Sequence, residues 1–223
     1  ILEKIKAEMD FGLFKGIVDE ASRYGARSFS LHLFGEPLLY THWQESIRYI
    51  KGKNRKNTVL FTTNGTLIER GDNLGKLLSS GVDQVLWSWR PEVKFKEETK
   101  KRLKKWGKFR IRIINEVTPV EALMEWKDWK NQESRSLHNY GGNINLENFG
   151  VKKDKLEERW PCYHLWLAPA LSWDGKILIC CADPMKKEIL GTFPEVSLHE
   201  AWIGKNLAEI RKSHRDGIYK GIC

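Results

Sequence analysis

The chain reads as an α/β protein built around a parallel sheet, and two observations predict this. Over the first 140 residues, apolar positions switch repeatedly between helical and extended spacing. A turn containing Gly, Asn or Pro closes most of the extended stretches before the next helical one begins. Strands separated by helices of ten to fifteen residues give βαβ units.

The elements follow in order. Ile5 to Tyr24 carries Met9, Phe14, Ile17, Val18 and Ala21 at helical spacing, and Ser28 to Phe34 (SFSLHLF) is extended. Thr41 to Lys51 returns to helix through Trp43, Ile47 and Ile50, and Asn57 to Thr62 is a strand. Leu67 to Leu78 is helical, Val82 to Trp89 extended, Lys94 to Trp106 helical and Phe109 to Ile114 (FRIRII) extended. Val120 to Trp129 completes the helices, and Ser134 to Leu137 is the last strand. Periodicity alone leaves open whether the sheet is an open barrel or doubly wound. Either way, a ligand site belongs at the carboxyl ends of the strands.

Gly141, Gly142 and Asn143 end this pattern, which puts a domain boundary near residue 145, between 1–145 and 146–223. A charged connector, VKKDKLEERW, leads to a different region. There Leu165–Leu171 and Lys176–Ile179 read as strands flanking a hairpin turn at Trp173-Asp174-Gly175. A closing helix runs from Leu198 to Arg211 on Trp202, Leu207 and Ile210.

The composition, 41% hydrophobic and 30% charged, is that of a folded protein rather than a disordered one. No apolar run approaches the roughly eighteen residues of a membrane helix, and no signal-peptide pattern opens the chain, so a cytoplasmic protein is expected. The formal charge is +9, and Arg90 to Arg112 holds eleven Lys or Arg residues. That stretch reads as the solvated face of a surface helix, with Leu103 and Trp106 turned inward. Neither a membrane nor a nucleic acid is expected as partner.

Polar and glycine residues gather at the strand ends. The first strand runs into Phe34-Gly35-Glu36-Pro37, the second into Thr62-Thr63-Asn64-Gly65, the third into Ser88. The fourth carries Arg112 and Asn115, and the fifth reaches His138 and Asn139. Gly35 permits close approach to the backbone, and Pro37 sets a rigid turn or a helix start. Glu36 and Asn64 offer an acceptor and a mixed donor–acceptor to one bound molecule. The four cysteines are Cys162, Cys180, Cys181 and Cys223. Structural disulfides are disfavoured inside the cell. The spacing lacks the paired C-x2-C of a zinc knuckle. Isolated buried thiols, a zinc site and an iron–sulfur cluster remain as readings of the set.

These motifs together resemble radical S-adenosylmethionine enzymes with a SPASM or Twitch auxiliary-cluster extension. FGEP at Phe34–Pro37 is similar to the family's GGEP element, and FTTNGTLI at Phe61–Ile68 to the strand and turn that follow it. Ser88, within GVDQVLWSWR, matches a family serine that contacts the cofactor. Cys162, twelve residues, Gly175, four residues and Cys180 resemble the opening of the auxiliary-cluster module. EILGTF and SLHEAWIGKNLAEIRKSH resemble the segments after it, and Cys223 the start of its closing cysteine group.

The resemblance implies a partial (β/α)6-type TIM barrel with a small C-terminal hairpin-plus-helix extension. It implies S-adenosylmethionine bound by Gly35, Glu36, Pro37, Thr63, Asn64 and Ser88, with Arg112 and Asn115 as further contacts. It implies an auxiliary iron–sulfur cluster on Cys162 and Cys180 with Cys181 and Cys223. The activity it implies is an oxidoreductase or maturase that makes a 5′-deoxyadenosyl radical to modify a peptide or small-molecule substrate. Its electron donor would be a flavodoxin or ferredoxin. No side chain stands out as catalytic.

Two departures qualify this. The family's C-x3-C-x2-C loop for the catalytic [4Fe–4S] cluster is expected just before Ile1, and both ends read as cut, so the stretch given is expected to be inactive alone. Ser88-Trp89-Arg90 stands where many relatives have Ser-x-Asp. The rival reading is a non-catalytic zinc- or RNA-binding α/β domain, which explains the charge and cysteines but not the strand ends.

Overall fold

The computed structural model describes residues 7–114, 129, 132–135, 146–149 and 161–219. Contacts divide the chain into two compact units. One comprises residues 26–138 with 149–151, and the other residues 1–25, 139–148 and 152–223.

The first unit is a parallel sheet. Its strands are β1 (Ser28–Ser30), β2 (Thr58–Thr63), β3 (Gln84–Ser88), β4 (Phe109–Ile114) and β5 (Gln132–Arg135). They lie in the order β1-β2-β3-β4-β5, every neighbouring pair parallel. A doubly wound sheet reverses its strand order part-way; this one steps always in the same direction, which is the arrangement of a partial barrel. Helices α2 (Trp43–Lys53), α3 (Asn73–Ser79) and α4 (Glu97–Trp106) form the crossovers.

Alternation along the strands gives the sheet two unlike faces. Val59, Phe61, Val85, Trp87, Phe109 and Ile111 are buried. Trp43 of α2 meets Phe61 edge-on at 6.4 Å, and Phe95 and Trp129 meet Phe109 in the same way at 6.1 and 6.0 Å. The other face carries Thr58, Leu60, Thr62, Gln84, Ser88, Arg110 and Arg112, all partly or fully exposed, with only Leu86 buried among them.

The second unit joins the two ends of the chain. Helix α1 (Phe11–Arg23) packs with the three-stranded antiparallel sheet β6 (Ala170–Leu171), β7 (Lys176–Leu178) and β8 (Ile189–Thr192). With them are α5 (His164–Leu167), α6 (Leu198–Ile203) and α7 (Lys205–Arg215). Ile17 lies in one core cluster with Ile177, Leu198 and Ala201, and Met9, Leu13, Phe193 and Val196 pack around it. Glu20 Oε1 accepts from His199 N at 3.0 Å, and Tyr24 stacks on His199 at 4.4 Å. The apolar stripe of α1 thus closes the core of the C-terminal residues.

Several expectations need correction. Leu165–Leu171 is not one strand: His164–Leu167 is a helical turn and only Ala170–Leu171 pairs. The apolar run could not separate the two states at so short a length. The hairpin gains a third strand, β8. The closing helix is two helices, because Gly204 takes an extended ψ of 156° between them. Strand β1 is shorter than SFSLHLF suggests, and α3 starts six residues later than Leu67. The expected helix Val120–Trp129 and the connector VKKDKLEERW fall outside the described residues, save Trp129. Among the described residues no helix is long and apolar enough to cross a membrane.

If α1 completes the second core, Ile17→Ala should cost about 2–3 kcal/mol in equilibrium urea denaturation. An unchanged midpoint would mean that the helix merely rests on that unit.

Candidate functional site

The strand ends of the parallel sheet are tied together by one carboxylate. Glu36 follows β1 and caps the short 3-10 helix Pro37–Leu39, Pro37 taking the first turn where its missing N–H costs nothing. Its Oε1 accepts from Thr63 Oγ1 at 2.7 Å and Leu38 N at 3.3 Å, and its Oε2 from Asn64 N at 2.8 Å. Three donors from two strand ends converge on one partly buried anion, and hydrogen bonds to an ionised acceptor are the stronger kind.

The Thr63-Asn64-Gly65 turn is fixed from other sides as well. Thr63 Oγ1 accepts from Gly65 N at 3.0 Å, and Asn64 Oδ1 accepts from Thr66 N and Oγ1 at 2.9 and 2.7 Å. Trp87 donates its indole N–H to Asn64 O at 3.1 Å. Gly65 has φ +83°, and a Cβ there would come within 2.5 Å of Trp87 Nε1, so both backbone conformation and space require glycine.

The structure therefore brings Glu36, Pro37, Thr63 and Asn64 into one knot. Gly35 beside it is exposed, with open space where a Cβ would stand. Ser88 and Arg112 belong to a neighbouring group. They are register partners on β3 and β4, on the less buried face of the sheet. Thr62 shares that face, held by His32: the His32 Nδ1 accepts from Thr62 N at 3.0 Å, and its other nitrogen lies 3.1 Å from Thr62 Oγ1. That pair of contacts fits a neutral ring carrying its proton on Nε2. His32 belongs to no motif that flags it in the sequence, and Trp87 lies in GVDQVLWSWR, where Ser88 alone is singled out. Alternation along SFSLHLF is the one available hint for His32. Asn115, His138 and Asn139 fall outside the described residues.

The cysteines lie in the second unit. Cys162 and Cys180, both half-buried, pack against one core patch of Leu165, Ile179 and Leu207, while adjacent Cys181 is exposed. Cys223 lies outside the described residues. The Cys162 segment is anchored by α7: Cys162 N donates to Nδ1 of buried His214 at 3.3 Å, and Arg211 Nε donates to Leu165 O at 2.9 Å. His214 and Arg211 sit seven and four residues after Leu207, a helical spacing that marks them as one face in the sequence.

The Cys180 loop is held by buried Asp183, whose Oδ2 accepts from Glu188 N at 3.0 Å. Asp183 Oδ1 is buried with no hydrogen-bond partner among the described residues. The thiol of Cys180 accepts from Ala182 N at 3.2 Å. Its hydrogen bond with Cys181 and its burial push its pKa up, so in the protein alone it stays protonated. A metal would displace that proton, since thiolate is the ligating form.

Among the described residues no three Cys, His, Asp or Glu side chains converge on a metal-binding point. The fit to an iron–sulfur group rests on the soft thiol donors and on two of them sharing one apolar patch, which limits solvent access.

The hairpin that delivers Cys180 is clamped at its tip. Asp174 accepts from Ser172 Oγ at 2.5 Å and from Lys186 Nζ at 2.8 Å, and Lys186 also lies over the Trp173 ring at 5.4 Å. Gly175 has φ +80°, and a Cβ there would strike Phe193 O at 2.7 Å.

Residues 162–223 match the family model described as SPASM, an iron-sulfur cluster-binding domain. The match covers only this C-terminal segment. No curated protein sequence matches the chain. Solved structures do match it in fold. BtrN in complex with AdoMet and 2-DOIA is 18% identical at a TM-score of 0.66, covering 96% of this chain and 77% of that one. Native anSMEcpe with bound AdoMet is 16% identical at 0.61, covering 92% and 75%. Streptococcus suis SuiB bound to S-adenosylmethionine is 17% identical at 0.63, covering 92% and 60%. The anSMEcpe fold is also known with AdoMet and a Kp18Cys peptide. At these identities the likeness is one of fold. Together with the SPASM match, it bears out the resemblance read from the sequence at the level of fold and C-terminal domain.

Burial pushes the Asp174 carboxyl up, but the hydrogen bonds from Lys186 and Ser172 outweigh it and hold it at about 2 against an ordinary 3.8. A carboxyl so depressed stabilises the fold above about pH 4, and that stability is lost as pH falls through 3.8 toward 2. Asp174→Asn should therefore cost about 2 kcal/mol at pH 7, with the penalty shrinking on acidification, in urea unfolding at several pH values. A penalty that does not change with pH would show that the clamp is not ionic.

Proposed function

We propose that the chain is the scaffold of a radical S-adenosylmethionine oxidoreductase or maturase, with its SPASM domain holding an auxiliary iron–sulfur cluster. The observation that carries the reading is the Glu36–Thr63–Asn64 knot at the carboxyl edge of a parallel sheet whose chain continues into a SPASM domain. The fold is shared with proteins that hold AdoMet, one of them also with 2-DOIA and another with a peptide. A peptide or small-molecule substrate follows by that analogy.

When bound, S-adenosylmethionine supplies a 5′-deoxyadenosyl radical once it has received an electron, which a flavodoxin or ferredoxin would deliver. The chain's own work is binding and positioning. Glu36 fixes the Asn64 turn and keeps unused acceptor capacity beside the open backbone at Gly35. Ser88 and Arg112, side by side on the less buried face, offer a hydroxyl and a cation, a pairing suited to a carboxylate group. Thr63 is spent inside the knot, so its part is to hold Asn64 in place. Asn115 is retained as a further contact. Cys162 and Cys180 would lead the cluster ligands, with Cys223 as another. Cys181, whose side chain is exposed and hydrogen-bonds that of Cys180, is a further candidate.

Two experiments test this reading. Anaerobic reconstitution with iron and sulfide should give a chain with several irons and visible cluster absorption, both lost in Cys162→Ser and Cys180→Ser. One tight zinc and no iron would overturn the cluster assignment in favour of a zinc domain. Separately, Glu36→Ala should weaken S-adenosylmethionine binding about tenfold in equilibrium dialysis, since it removes charge-assisted hydrogen bonds that hold the turn. An unaltered affinity would sink the cofactor site.

A further inference from the structure

The opposite edge of the parallel sheet carries a feature that the cofactor reading does not use. Because each crossover helix returns antiparallel to its strands, the helix C-termini and the strand N-termini all meet at this edge. The residues gathered there include Arg27 before β1, Lys51 and Lys53 in the last turn of α2, and Arg55 and Lys56 between α2 and β2. Lys104 and Lys105 end α4, and Lys108 and Arg110 flank the start of β4. Asp83, just before β3, is the one carboxylate among these segments. It is already consumed, accepting from Lys51 Nζ at 2.5 Å and Val59 N at 2.7 Å.

Favourable interaction with the helix dipoles accounts for one or two cations at each helix end. It does not account for Arg27, Arg55 and Lys56, which lie beyond those ends. Arg27, Arg55, Lys56, Lys104 and Lys105 are all exposed, and none is ion-paired with a described carboxylate.

We propose that this edge is a docking surface for an acidic, extended segment of a partner protein. Four strand starts about 4.8 Å apart spread the cations over roughly 15 Å, which about five residues of extended chain would span. The chemistry disfavours nucleic acid. The rings near this edge are covered by cations, Lys53 over Tyr49 at 4.8 Å and Lys108 over Trp106 at 5.8 Å, so they offer no open stacking platform. Only helix C-termini end here, so no crown of backbone N–H groups awaits a phosphate. The six residues of β2 put this edge about 20 Å from Glu36, so a segment docked here is held at a distance from the candidate cofactor site.

The test is fluorescence anisotropy on the full chain with two probes, a labelled oligoglutamate peptide and a labelled single-stranded RNA of matched charge. The triple variant R55E/K56E/K105E should weaken peptide binding about tenfold, and the effect should fade as salt rises. A control triple on α7, K205E/K212E/R215E, changes net charge equally and should alter binding less than about twofold. Equal losses in the two triples would reduce the effect to net charge and overturn the proposal. RNA binding tighter than peptide binding would replace the acidic segment with a nucleic acid, and no binding of either probe would also overturn it. Should the charge reversal unfold the chain, R55Q/K56Q keeps the test, with a smaller expected loss in the same direction.

Discussion

Running every strand of the first sheet in the same direction, in sequence order, is the constraint on which the rest of that unit depends. Parallel neighbours cannot be joined by tight hairpins, so each pair needs a longer crossover, and from β1 to β4 the crossovers are helices. The helices cover one face, and the alternation of each strand then separates Phe61, Trp87 and Phe109 from Thr62, Ser88 and Arg112. The same constraint sorts the loops. Among the described residues, the strand-to-helix turns fall at one edge and the helix-to-strand turns at the other. Candidate chemistry therefore collects around Glu36, while the surplus cations collect at the far edge.

At the carboxyl edge, Glu36 is what makes separate turns into one surface. A strand end is ordinarily free to fray, because its last backbone groups lack partners. Here one carboxylate receives Thr63 Oγ1 and Asn64 N from the next strand along, as well as Leu38 N from its own. Replacing that anion leaves a buried threonine hydroxyl and a backbone N–H to find other partners, at a cost of about 1–3 kcal/mol for each group left without one. Trp87 and Gly65 complete the arrangement from below. A side chain at Gly65 would strike the Trp87 indole, so the turn admits only glycine beside that ring.

Much of this was legible in the sequence, and the failures have physical causes. FRIRII announced β4 residue for residue, because alternating polar and branched apolar side chains have a single good solution on a sheet with one buried face. FGEP and TTNG were legible as turns at strand ends, since glycine, proline and asparagine specify local backbone directly. Leu165–Leu171 was misread because apolar content without a period cannot tell a single helical turn from a strand. The single closing helix expected from Leu198 to Arg211 runs through Gly204, whose extended ψ splits it into two. The partner of α1 had no local signal at all. An amphipathic stripe shows that a helix buries one side, but not against which segment, and here the segment lies some 160 residues away.

That long-range packing bears on how the cysteines are held. Cys162 and Cys180 approach one patch only because three separate supports agree. His214 and Arg211 of α7 fix the Cys162 segment, and the Asp174 clamp fixes the hairpin tip. Buried Asp183 fixes the loop after Cys180. The hairpin itself contributes Ile177 to the cluster that α1 closes, and Phe193 of that cluster bonds through its N–H to Gly175 O at the turn. Helix α1 therefore supports the strand that leads to Cys180, although it lies outside the patch on which the two cysteines pack. A domain recognised by cysteine spacing over residues 162–223 thus has a core that starts near residue 9, and the C-terminal segment alone would expose the faces of Ile17's neighbours to water. Thiol geometry in this chain is set as much by a helix at the start of the sequence as by the residues that carry the motif.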